Sequence, residues 1–100
     1  MYIHKHIYRH IFKKIKKHFK RQANIWSINE IIRGFVVFYE KDREITRNAK
    51  RGISDEINKL FKDELAKIDY LKLYGGKYFL YDSHENLKKN YGGSLFYYKR

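Results

Sequence analysis

The chain has 100 residues, 43% of them hydrophobic and 34% charged, with a net charge of +12. This length calls for one domain over 1–100, and this apolar content excludes a disordered tail. The absence of cysteine excludes disulfides, thiolate zinc sites and thiol nucleophiles together, and the longest apolar run, Phe35 to Tyr39, is too short to cross a bilayer.

The charge is unevenly spread. Residues 1–29 hold eight Lys or Arg and no acid, whereas residues 30–73 hold ten basic and nine acidic side chains. Lysines interrupt every apolar run near the N-terminus, so no secretory leader is expected and the expected location is cytoplasmic. The first predicted helix covers 2–21. At about 100° per residue, Ile3, Ile7, Tyr8, Ile11, Phe12, Ile15 and Phe19 fill about half its circumference. Lys5, Arg9, Lys13, Lys16, Lys17 and Lys20 form a stripe about 120° wide on the other side. Lys14 and His18 fall toward the apolar side, where His18 is expected to be partly buried.

The second predicted helix covers 28–50. Ser27-Ile-Asn-Glu30 has the form of a capping box, with Trp26 and Ile31 placed for a hydrophobic staple. The run Phe35 to Tyr39 also fits a buried strand, and Gly34 weakens a helix there. The third predicted helix covers 54–73, with Ser54 as N-cap and Asp55 and Glu56 in the first turn, where the helix dipole favours negative charge. Gly75 and Gly76 close it. The tail repeats itself: Tyr74-Gly-Gly-Lys-Tyr-Phe-Leu-Tyr returns as Tyr91-Gly-Gly-Ser-Leu-Phe-Tyr-Tyr. Each copy reads as a stop followed by an aromatic strand, giving an antiparallel hairpin of 77–82 and 94–99. Lys88 and Lys89 then lie near the tip of its loop. The expected fold class is α+β: three helices and a C-terminal two-stranded hairpin.

Residues 44–58, Glu-Ile-Thr-Arg-Asn-Ala-Lys-Arg-Gly-Ile-Ser-Asp-Glu-Ile-Asn, resemble a helix-turn-helix. With the hairpin after them, residues 44–100 look winged-helix-like. The resemblance implies a recognition helix carrying Asn58, Lys59 and Lys62, and a wing carrying Lys88 and Lys89.

A long segment without acids repels itself, and a structural role does not require that arrangement. The basic stripe therefore points to a polyanion, with Lys and Arg neutralising phosphates. The expected function is non-enzymatic binding of nucleic acid, DNA or RNA, or of a nucleoprotein complex, in an accessory or regulatory role. The candidate contacts are Lys5, Arg9, Lys13, Lys16, Lys17, Lys20 and Arg21, with Lys88 and Lys89. An anionic membrane surface is a rival partner for a basic amphipathic helix. Two other functions fit the composition. One is a small inhibitor encoded by a mobile element, of the anti-CRISPR kind, acting by protein contact. The other is a toxin-type ribonuclease using His84, Glu85, Lys88 or Tyr91. His6 and His10 have a metal-binding spacing, but no cysteine or carboxylate stands near them in sequence, so neither a metal nor any other cofactor is expected.

Overall fold

The computed structural model describes residues 2–32, 34–68 and 78–99, and the side chains of 6–32, 34–68 and 79–99. In chain order these form α1 (Tyr2–His18), β1 (Ile25–Ile31), β2 (Gly34–Tyr39), α2 (Asp42–Lys50), α3 (Ile53–Lys67), β3 (Tyr78–Ser83), α4 (His84–Tyr91) and α5 (Leu95–Lys99). The fold is α+β, but it is not three helices with a terminal hairpin. Its sheet has the order β1-β2-β3, with β1 antiparallel and β3 parallel to the central strand.

α1 forms where the apolar residues recur at helical spacing. Tyr8, Ile11, Ile15 and Phe19 are buried, while His18 is exposed and meets Phe19 only edge-on at 4.7 Å. The chain then turns at Asn24, which adopts φ 54. Asparagine tolerates this left-handed conformation better than most residues. Asn24 fixes the corner further: its Nδ2 donates to Glu44 Oε2 at 2.8 Å, and its carbonyl accepts from the Glu40 N–H at 3.1 Å.

The predicted helix over 28–50 is overturned: 25–39 is a β-hairpin, and only Asp42–Lys50 is helical. Ile28, Ile31, Ile32, Phe35 and Tyr39 recur at helical spacing, but they share no face: Ile28, Phe35 and Tyr39 pack on the α1 side, Ile31 packs on the opposite side, and Ile32 is exposed. A bulge between Ile25 and Ser27 keeps Ile25 on the same face as Ile28 although they are three residues apart. The capping box is likewise a coincidence of spacing, since Ser27 Oγ accepts from Asn29 Nδ2 at 2.8 Å within the strand. Trp26 staples no helix; it packs edge-on against Phe38.

β2 is buried along its whole length because helices cover both faces of the sheet. Phe35, Val37 and Tyr39 pack beneath α1 and α3, with Phe61 4.7 Å from Phe35, centroid to centroid. Val36 and Phe38 face Leu87, Tyr91, Leu95 and Tyr98 of α4 and α5. α2 and α3 carry the chain from β2 to the parallel β3, a connection too long for a hairpin. They meet at Gly52, whose φ of 77 suits glycine. Gly52, not Ser54, is the N-cap of α3. Ser54 is instead buried in the first turn, with its Oγ 2.8 Å from the Tyr39 hydroxyl. α2, Gly52 and α3 do run helix, turn, helix. However, among the described residues no hairpin follows, and Ile53, Ile57, Phe61 and Leu65 of α3 are buried in the core.

The predicted strand over 94–99 is also overturned. Ser83 caps α4 by accepting from the Asn86 N–H at 2.9 Å, and Gly92 ends it with φ 59. Leu95 and Tyr98 of α5, three residues apart, then join Tyr91 of α4 against Val36 and Phe38. Lys88 and Lys89 therefore sit on a helix, not at a hairpin tip. The third helix is shorter than the expected 54–73: α3 ends at Lys67 with Ile68 as its C-cap, and residues 69–73 and the Gly75-Gly76 stop lie outside the described residues.

Candidate nucleic-acid interface

Burying one half of α1 forces the other half outward. Arg9, Lys13, Lys16, Lys17 and Lys20 are all exposed. Two hollows run beside them. The first, of about 280 Å³, is lined by Arg9, Lys13 and Lys16 together with Tyr8, Phe12, Ile28, Asn29 and Glu30. The second, of about 520 Å³, is lined by Lys16, Lys17, Lys20, Asn24 and Ile25. Lys16 belongs to both, so the hollows form one path between α1 and the edge strand β1.

None of these five cations has an ion pair among the described residues. The contrast with Lys14 is informative. Its Nζ lies 2.9 Å from Glu64 Oε1, and Lys67 holds the other oxygen at 2.8 Å. The hydrogen bonds from Lys67 and Lys14 hold the Glu64 carboxyl below the usual range. Lys14 is thus a structural lysine on the seam between α1 and α3, whereas the five others are uncommitted. Glu30 is the one acid in the path. Together with burial, the stronger effect, it raises the pKa of the Tyr8 hydroxyl.

The other proposed contacts fall elsewhere. Lys5 lies on α1, and its side chain is outside the described ones. Arg21 is exposed in the turn after α1 and lines neither hollow. Lys88 and Lys89 belong to α4, across the sheet, where they line a third hollow with Glu40, Lys41, His84 and Glu85. Of the implied recognition residues on α3, Lys59 and Lys62 are exposed and Asn58 half-buried, but among the described residues no wing accompanies them. His6 and His10 line a hollow between α1 and α3 with Glu64, whose oxygens are taken by the two lysines. Among the described residues no three His, Cys, Asp or Glu side chains gather to hold a metal ion.

Asn29 and Asn24, which the sequence does not single out, line the basic path because β1 lies beside α1. The stack of His84 on Trp26, with ring centroids 3.8 Å apart and planes at 5°, forms because α4 packs on the other face of the sheet. The signal for Trp26 is its place next to Ile25 on a strand, and reading 28–50 as a helix hides it.

No family model, curated protein or solved structure matches the chain. Among the described residues no helix is long and apolar enough to cross a membrane.

Proposed function

We propose that this protein binds nucleic acid, free or within a nucleoprotein, without catalysing a reaction. The observation that carries the reading is the row of five exposed cations, Arg9, Lys13, Lys16, Lys17 and Lys20, unpaired among the described residues, along one groove beside β1. A row of cations on a rigid helix suits a chain of phosphates, because each contact releases condensed counterions. Burial of Tyr8, Ile11, Ile15 and Phe19 favours nucleic acid over a lipid surface, since the apolar half of α1 is occupied by the core. In the test, labelled oligonucleotides are titrated with the wild type, with Lys13→Glu/Lys16→Glu/Lys17→Glu, and with Lys14→Gln. The triple reversal is expected to abolish binding while circular dichroism stays native. Lys14→Gln is expected to bind like the wild type. Equal binding by the wild type and the triple variant would overturn the reading.

A further inference from the structure

The proposed reading leaves open which form of nucleic acid fits, and the far side of β1 bears on that. Strand alternation sends Ile25 toward α1, where it lines the basic path, and sends the next residue, Trp26, to the opposite face. There Trp26 has its edge contact with Phe38, at 5.9 Å and 83°, and its stack with His84. Phe38, Trp26 and His84 thus form a column that begins in the core and ends at an imidazole whose side chain is 28% exposed. The end of this column opens into the hollow of about 420 Å³ lined by Lys41, Lys88 and Lys89.

Two carboxylates share that hollow with the three lysines. Glu85 Oε1 accepts from the Asp42 N–H at 2.9 Å, and Glu40 Oε1 lies 3.9 Å from His84 Nδ1. The three lysines are exposed. The hollow adjoins the basic path through one hydrogen bond, from the Glu40 N–H to the Asn24 carbonyl, since Asn24 lines the path and Glu40 lines the hollow. Two lysine-lined hollows therefore meet at the start of β1, and the second holds a flat ring at the end of an aromatic column.

We infer that the nucleic acid bound is single-stranded, and that an unpaired base stacks on His84 while its flanking phosphates meet Lys41, Lys88 and Lys89. This rests on the proposed function. Every base has a π-face, so such a platform is tolerant of sequence and needs only a base free of its partner. Bases within a duplex offer no face to the imidazole unless one is flipped out.

Trp26 is the only tryptophan, so its emission reports on the column directly. The experiment titrates the protein with a mixed-sequence oligonucleotide of roughly 12 nucleotides, a length within the usual site sizes, and with its blunt duplex. The wild type is expected to bind the single strand about tenfold more tightly than the duplex and to show a change in Trp26 emission with the single strand. His84→Asp is expected to bring the ratio of the two affinities toward one, and His84→Phe, which keeps a flat ring, to preserve it. Salt-dependent binding with no preference for the single strand, or a preference that His84→Asp leaves intact, would overturn this inference and leave the proposed function standing. Failure of the wild type to bind either form would overturn both.

Discussion

The phosphate path makes a quantitative prediction for the double variant Lys13→Gln/Lys16→Gln. Both side chains are exposed and unpaired, so replacing them should remove two cations without disturbing the core. On a single strand each phosphate contact adds about −0.7 to the slope of log K against log salt. Five contacts from Arg9, Lys13, Lys16, Lys17 and Lys20 give a slope of about −3.5, so a fourfold rise in salt weakens binding about 130-fold. The variant keeps three of them, with a slope of about −2.1 and a loss of about 18-fold over the same range. The difference between the slopes, about 1.4, stays the same however many lysines on α4 also take part. Fluorescence anisotropy from about 50 to about 200 mM salt measures it. A variant that binds more weakly but with an unchanged slope would refute the reasoning, because Lys13 and Lys16 would then not be meeting phosphates.

Three further outcomes concern the scaffold that presents the groove. Glu64 has its carboxyl pKa held low by Lys67 and Lys14, so its contribution to stability is present above the ordinary glutamate value of about 4.3 and lost as pH falls below it. Urea unfolding should show Glu64→Gln less stable than the wild type at neutral pH, with the gap closing in acid; a gap independent of pH would contradict the ion-pair account. The hydroxyls of Tyr8, Tyr39 and Tyr98 are all raised in pKa, chiefly by burial, and the hydrogen bond from Tyr98 to Asp82 at 2.9 Å adds to the effect there. Their contribution to stability is complete below the ordinary value of about 10 and is lost as pH rises above it, so circular dichroism should report alkaline unfolding together with tyrosinate absorbance. Gly52→Ala meets no atom within 4 Å, so the strain at φ 77 alone should cost about 1–2 kcal/mol in a urea titration; an unchanged midpoint would mean that α2 and α3 meet in another geometry.

Both misread elements fail through periodicity. Ile28, Ile31, Ile32 and Phe35 carry a spacing that belongs to helices, yet the hairpin puts Ile28 and Ile31 on opposite faces and leaves Ile32 exposed. Between 94 and 99 the reverse holds. Leu95-Phe-Tyr-Tyr is an unbroken hydrophobic run that reads as a strand, but Leu95 and Tyr98, three apart on α5, pack together with Tyr91 of α4 against Val36 and Phe38. The parallel partner of β2 is Tyr78–Ser83, some forty residues further along, and no local pattern announces so distant a pairing.

The sorting of α1 was legible because it is local. Its apolar residues recur every three or four positions, and the lysines that remain can only point elsewhere. From that alone follow the helix, its buried half and the exposed stripe of Arg9, Lys13, Lys16, Lys17 and Lys20. The fold decided what the stripe lies beside. Lys14 is set apart from its neighbours by Glu64, fifty residues away, which takes it into an ion pair. The wall of the groove, and the His84 ring at the end of the Trp26 column, exist because β1 pairs with β2 and because β3 delivers α4 to the opposite face of the sheet. Helical periodicity is fixed by bonds four residues apart, whereas a groove is fixed by which distant surfaces can bury one another, and only the folded chain settles that.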